Sequence, residues 1–433
     1  MFYFCWIFTK INYRIMIQEF SLTNFLSFND KQTINLLASS DKKHLDELTY
    51  QPKKGVKILK LLMIYGANAS GKSNLLNAIQ ILWMLLISPK EKENSKISFY
   101  NPFKLNIDKP IEFEIIFWVD NRKFKYEIKY NEYEILFEKL EYVTDSGVMS
   151  DLYEREIGKD IKFGSTIAIN IKVKNDFNTN TLKNHTVLST LNKKNIDAPK
   201  ILIELYEWIK NSVHELGSHN NAIKIVEYAN KDAKIKEFLL GLLCRADFNI
   251  IDFNVVESKM NESLLEEILK DDSLSQSLKD KLLKPQKQLL FTHKNDDEEF
   301  QIEFGMQSSG TRVYFRLARL LIELGNHGTI ALEDELEDSL HYDLLLHFLE
   351  TFLRYEKNSQ LIFTTHNQML LDEDWMLRRD MICFIEKSRN KSNSEIYKAS
   401  DLGLHKNLSL LNAYKIGKLG AKPNLGSTML NQL

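Results

Sequence analysis

The 433-residue chain is 44% hydrophobic and 11% aromatic, enough to bury one large core or two to three smaller ones. Its 57 basic and 59 acidic residues leave a formal charge of -2, which excludes a global attraction to nucleic acid or an anionic membrane and confines such contacts to local patches. Cys5, Cys244 and Cys383 are far apart and form no CxxC pair, which excludes an encoded disulfide framework or zinc site and fits a reducing, cytoplasmic setting.

The opening run "MFYFCWIF" is too short to span a bilayer and lacks the basic flank and cleavage site of a signal peptide. Residues 1–15 are read as an N-terminal extension, with the functional part opening at Met16. From there "MIQEFSLTNFLSF" alternates apolar and polar residues, and "VKILKLLMIY" (56–65) is a continuous apolar run, so both read as strands, the second central and buried. "GANASGKS" follows, and "NLLNAIQILWMLL", without glycine or proline, reads as a helix. Residues 111–143 read as an antiparallel meander turning at "DNRK" and "NEY".

After about Thr144 the pattern becomes mostly helical ("PKILIELYEWIKNSV", "KIKEFLLGLLCRA", "SLLEEILKDDSLSQSLKDKLL"), bounded by Asn-rich loops such as "KNDFNTNTLKNH". Strand and helix then alternate: "SSGTRVYFRLARLLIEL" a helix, "TIAL" a strand, "YDLLLHFLETFLRY" a helix, "QLIFTT" and "MICFIEK" strands. Such alternation implies parallel strands with crossover helices. The expected architecture is an α/β head with a mixed sheet, flanking helices and a β meander, made of residues 16–145 and 291–433 around an inserted, mainly helical lobe at 146–290.

"GANASGKS" satisfies G-x-x-x-x-G-K-[ST] between a predicted strand and a helix, the context a phosphate-binding loop requires. Gly66 and Gly71 let the backbone N–H groups of Ala67, Asn68, Ala69, Ser70 and their neighbours turn toward phosphate oxygens, with the helix from Lys72 through Asn74 adding its positive end. Lys72 should reach the β- and γ-phosphates, and the Ser73 hydroxyl should ligate Mg²⁺. No GTPase-type N-K-x-D follows in pattern, "NKKNID" being the only near match, and the next acid cluster lies more than 250 residues downstream, so an ATPase head split by an insertion is expected.

In that cluster, "GTIALEDELEDSLH", a short strand runs into Asp334 and Glu335. An acid at the end of a parallel strand beside a phosphate loop can hold the magnesium hydration shell while the next polarises water. Sliding the strand by one residue would make Glu333 and Asp334 the pair; Asp334 and Glu335 are chosen for their distance to "SLH", which leaves Glu337 and Asp338 as linker positions. "QSSGTR" offers Ser308, Ser309 and Gly310 at a helix N-terminus, an anion-binding geometry, although Ser308 also suits a simple cap. "IFTTHN" ends a strand at His366, where an imidazole could meet a γ-phosphate.

Together "MIQEFSLTNFLSFNDKQTINLLAS", "IYGANASGKSNLLNAI", "QSSGTR", "EDELEDSLH", "LIFTTHNQMLLD", "RRDMICFIEK" and "YKIGKLGAKPNL" resemble the ABC-type ATPases of the RecF, SMC and OLD-like superfamily, most closely the RloA/AbiL/AriA-like ATPases of phage-defence operons. The resemblance implies ATP and Mg²⁺ as ligands, residues 66–73 as Walker A, residues 308–310 as the signature loop, Asp334 as the magnesium-side acid and Glu335 as catalytic base. It further implies a D-loop at Ser339, Leu340 and His341, and His366 as switch histidine. ATP would be sandwiched head to head in a homodimer or higher oligomer. Leu26 stands where relatives often carry a basic residue, the signature is a shortened "SSGT", and no Q-loop glutamine is found, so slow hydrolysis is expected.

The function so implied is an ATPase sensor or scaffold of an anti-phage system. It would answer to a phage protein and control a separate Toprim or RloB-like nuclease, because no nuclease-type cluster follows the ATPase motifs. The alternative is a RecF-like repair ATPase binding DNA through segments such as "NKKNIDAPK", "KLLKPQK" and "EKSRNK".

Overall fold

The computed structural model describes residues 14–423, apart from residues 91, 193–195, 215–221, 247–248, 259–274, 276–285, 297, 357, 388–392 and 406. The expected N-terminal extension, save its last two residues, and most of the predicted helical stretch "SLLEEILKDDSLSQSLKDKLL" therefore lie outside the described residues.

The chain forms two compact units, one of Met1–Gly217, Leu324–Glu337 and Glu350–Leu433, the other of Ser218–Glu323 and Asp338–Leu349. The first begins with β1 (Ile15–Thr23), β2 (Gln32–Asn35), β3 (Thr49–Lys53), β4 (Val56–Leu59), β5 (Leu61–Tyr65) and helix α1 (Lys72–Ile87). The meander follows as β6 (Ile111–Val119), β7 (Arg122–Tyr130), β8 (Ile135–Val143), β9 (Met149–Glu156) and β10 (Lys162–Phe163). Three helices, α2 (Ile171–Asn180), α3 (Val187–Thr190) and α4 (Lys200–Lys210), and strand β11 (Val213–His214) complete this stretch. The second unit carries β12 (Ile250–Ser258), β13 (Gln286–Asn295) and β14 (Glu298–Glu303). The first unit resumes with β15 (Ile330–Glu333), β16 (Gln360–Thr364), β17 (Ile382–Lys387) and β18 (Ser394–Lys398).

Two sheets dominate the first unit. One is antiparallel, in the order β10-β9-β8-β7-β6-β1-β2. Its strands alternate as the sequence does: Phe113, Ile115 and Phe117 of β6 and Phe124, Tyr126 and Ile128 of β7 are buried, while lysines and glutamates pair on the other face, as in Lys129–Glu112 at 2.9 Å. The other sheet runs β11-β15-β16-β5-β17-β18, parallel except for β18. Every residue of β5, β15 and β16 is buried, the mark of strands covered on both faces. Helix α1 buries Leu75, Leu76, Ile79, Leu82, Trp83 and Leu86, each worth about 1.5–3 kcal/mol of burial.

One side chain ties these sheets together. The β1–β6 register shifts between Ile17 and Glu19, and the buried amide of Gln360 takes up the freed backbone: Ile17 N–H donates to Oε1 at 2.9 Å, and Nε2 donates to Ile17 O and Leu59 O at 3.0 and 2.9 Å.

The fold is α/β, a mixed sheet with flanking helices beside an antiparallel meander, as expected from sequence. Three details differ. The run 56–65 is two strands in two sheets, broken at Lys60, whose buried ammonium donates to Glu47 O at 2.7 Å. The first half of the Asn-rich stretch read as a loop belongs to helix α2, because Asn170 caps that helix by accepting from Val173 N–H, and Val173 and Phe177, one turn apart, are both buried. The units do not divide at 145/146 and 290/291. Strands β9 and β10 extend the antiparallel sheet, and the second unit contains the three-stranded sheet β12-β13-β14 as well as helices Ala222–Ala229 and Ala233–Arg245. Phe253, Phe291, Phe304 and Phe315 pack edge to face in its core.

Among the described residues no helix is long and apolar enough to cross a membrane.

Candidate functional site

Strands β15, β16 and β5 are adjacent and parallel, so their carboxyl ends open on one edge of the sheet, where ligands of α/β folds gather. The phosphate loop leaves β5 there. Its glycines are needed: a Cβ on Gly66 would lie 2.4 Å from Ser70 Oγ and 2.5 Å from Ile385 O, and Gly71 has φ 111°. Ala69 also adopts positive φ, at 60°. Asn68, Ala69 and Ser73 are exposed, while Ser70 and Lys72 are buried. Lys72 Nζ lies over the loop, donating to Gly66 O at 3.0 Å and Ala67 O at 3.2 Å. Burial pushes its ammonium below the usual lysine range, against the pull of Asp334, Glu335 and Glu337.

Those acids leave β15 at the same edge. Glu333, the last strand residue, is buried, whereas Asp334 and Glu335 are exposed beyond the strand. Burial thus sets Glu333 apart from the two exposed acids, Asp334 and Glu335. Asp334 Oδ1 accepts the Thr364 hydroxyl at 2.5 Å, and Thr364 Oγ1 accepts Glu335 N–H at 2.8 Å. Glu335 has φ 49°, a left-handed backbone that costs a non-glycine residue about 1–3 kcal/mol and that gathers at functional sites. His366, just past β16, brings Nε2 to 3.6 Å from Glu335 Oε1, and its backbone N–H donates to Glu337 Oε1 at 2.5 Å.

The chain matches, over residues 61–372, the family described as "AAA domain, putative AbiEii toxin, Type IV TA system". The chain belongs to this family. The match takes in β5, the phosphate-loop segment, β15 and β16. The solved structures distantly similar to this AAA-domain protein include three SMC heads. An SMC head bound to the C-winged helix domain of ScpA aligns over 92% of this chain and 99% of its own, at 12% identity and a TM-score of 0.42. The SMC head domain from Thermotoga maritima aligns over 88% and 98%, at 12% identity and 0.39. An Smc head domain with an extended coiled coil, bound to the C-terminal domain of ScpA derived from Pyrococcus furiosus, aligns over 94% and 100%, at 14% identity and 0.36. A comparison with curated proteins finds no match.

Ser308, Ser309 and Gly310, the residues expected to form a signature loop, belong to the second unit of this AAA-domain chain. Ser308 Oγ accepts Thr311 N–H at 3.0 Å and lies 2.7 Å from Thr311 Oγ1, so it caps the helix Ser309–His327. A Cβ on Gly310 would sit 3.3 Å from Ser339 O, so this glycine lets the backbone at Ser339 approach closely. Ser339 also has positive φ, at 61°.

Sequence reasoning missed four residues at the phosphate loop and the acids. Ser27 Oγ accepts from Asn74 Nδ2 at 2.9 Å and from Ser394 Oγ at 2.8 Å, and both serine hydroxyls lie 2.6 Å from where a Cβ of Gly71 would be. Asn74 thus braces the loop from the side. Thr364 and Glu337 are the others; Glu337, read as a linker, holds the His366 backbone. Two serines far apart in sequence carry no periodic signal, and only the doubled threonine before His366 hinted at Thr364. Leu26, with φ 49°, donates its backbone N–H to Asn101 O at 2.9 Å.

Proposed function

We propose that the chain is an ATP-binding and hydrolysing ABC-type ATPase, the sensor or scaffold subunit of an anti-phage system that controls a separate nuclease effector. The observation that carries the ATPase reading is the meeting of Lys72, Asp334, Glu335 and His366 at one edge of one sheet, from segments far apart in sequence. Backbone N–H groups of residues 66–74 and the Lys72 ammonium would neutralise the β- and γ-phosphates.

Ser73, exposed at the first turn of α1, and Asp334, with one carboxylate oxygen not engaged by Thr364, suit a magnesium ion. Among the described residues no three His, Cys, Asp or Glu side chains converge on a metal site, so these two would share the ion with phosphate oxygens and water, the coordination magnesium prefers. The bound ion would neutralise charge on the phosphates. Glu335 would accept a proton from the attacking water, and His366, close to Glu335, would orient against the γ-phosphate.

Ser308, Ser309 and Gly310 of a second copy would complete the site, so that ATP closes a head-to-head dimer and hydrolysis releases it. The toxin–antitoxin wording of the family description supports a defence setting. Turnover and dimerisation of the wild type and Glu335→Gln test the reading. The variant is expected to bind ATP, lose turnover and accumulate as dimer; equal, very low turnover in both would overturn hydrolysis. ATP-dependent cleavage of DNA or tRNA by the chain alone would overturn the division of labour with a nuclease partner.

A further inference from the structure

We infer that Thr364 is a positioning residue of the hydrolytic centre, one hydroxyl that fixes both acids at once; the inference rests on the ATPase reading above. Thr364 is the last residue of β16, fully buried, and lies in register with Ile64 of β5 on one side while β15 runs along the other. It therefore stands between the strand that delivers the phosphate loop and the strand that delivers the acids.

A hydroxyl has one proton and two lone pairs. Here the proton goes to Asp334 Oδ1, and a lone pair receives Glu335 N–H. The Thr364 carbonyl also receives Leu336 N–H at 3.2 Å. Three consecutive residues of the acidic turn are thus bound to one strand residue, and the left-handed backbone of Glu335 is held by its amide on Oγ1.

Two consequences follow. Engaging Oδ1 leaves Asp334 Oδ2 as the oxygen offered to a hydrated magnesium ion. Fixing the Glu335 amide aims its carboxylate from the backbone, toward the imidazole of His366 at 3.6 Å. A β-branched side chain in a strand has few rotamers, so the aim is set before any ligand arrives.

The test uses the full chain with Thr364→Val, which keeps the shape and removes the hydroxyl, and Thr364→Ser, which keeps the hydroxyl. Hydrogen exchange of residues 331–338 without nucleotide should rise in Thr364→Val and stay near wild type in Thr364→Ser. The affinity for ATP in Mg²⁺ should fall about 10- to 100-fold in Thr364→Val, the usual cost of removing a residue that orients a metal ligand, while affinity in EDTA changes by less than about twofold. Turnover should fall in parallel, and Thr364→Ser should restore all three.

Exchange and Mg²⁺-dependent binding unchanged in Thr364→Val, or equal losses in Val and Ser, would overturn the inference. Should Thr364→Val fail to fold, Thr364→Ala is read by the same measures. Equal turnover in wild type and Glu335→Gln would sink hydrolysis itself, and exchange and binding would still decide the role of Thr364.

Discussion

The carboxylate of Glu337 accepts the backbone N–H of His366 at 2.5 Å, so the turn after β15 and the turn after β16 are fastened at two places, here and at Thr364. An amide oxygen can accept the same hydrogen bond, whereas alanine cannot. Glu337→Gln is therefore expected to keep most of the turnover, and Glu337→Ala to lose about tenfold or more, the factor that a displacement costing 1.4 kcal/mol in the transition state produces. Steady-state ATPase assays of both variants check this. If the glutamine variant is as impaired as the alanine variant, the charge of Glu337 matters rather than its grip on His366.

Lys72 is held over two carbonyls of its own loop and faces three acids, so its ammonium sits in a site already arranged for charge. Replacing it by Met keeps the apolar stem and removes the cation. Loss of a charged hydrogen bond of about 1.5–3 kcal/mol corresponds to a roughly 10- to 100-fold weaker nucleotide affinity. Titration with a fluorescent ATP analogue measures it; an affinity within about twofold of wild type would remove Lys72 from the phosphate site.

The segments that make up this candidate site are each visible in the sequence, because each motif is short and contiguous. The phosphate loop needs only a strand, a glycine turn and a helix in order, and the helix Tyr342–Tyr355 matches the quoted run residue for residue. Features made by distant residues could not be read. Lys60 breaks an apolar run because of a carbonyl at Glu47, and the helix at 171–180 depends on an Asn cap and two buried residues in a polar stretch. The bonds of Thr364, Ser27 and Ser394 join segments that only the sheet order brings together, and hydroxyl residues leave no periodic trace of such contacts.

Gln360 is expected to matter for stability rather than for chemistry. Its amide satisfies Ile17 N–H and two carbonyls inside the protein, and it has no other route to water. Gln360→Leu would leave these backbone groups unpaired, at about 1–3 kcal/mol each. Urea unfolding should show a midpoint lowered by at least about 2 kcal/mol equivalent, with nucleotide affinity of the folded protein little changed. An unchanged midpoint would mean that the β1 bulge is satisfied in some other way.

Glu356 gives the stability a pH dependence. It is buried at the other end of β16 from the phosphate loop, so close to Gly325 that a Cβ there would lie 2.9 Å from its Oε1. Burial raises its carboxyl from 4.5 to about 7, with Lys60 pulling the other way. Between those two values the folded chain binds more protons at this site than the unfolded chain. Stability from this group is therefore greatest below pH 4.5, falls as pH rises toward about 7, and stays low above it. Glu356→Gln keeps the shape and cannot ionise, so it is expected to be more stable than wild type at pH 8 by up to about 3 kcal/mol, the gap narrowing toward zero as the pH is lowered. Urea midpoints of both proteins across that range measure the gap. A difference independent of pH, or a variant less stable at pH 8, would show that Glu356 is ionised and compensated in the folded protein.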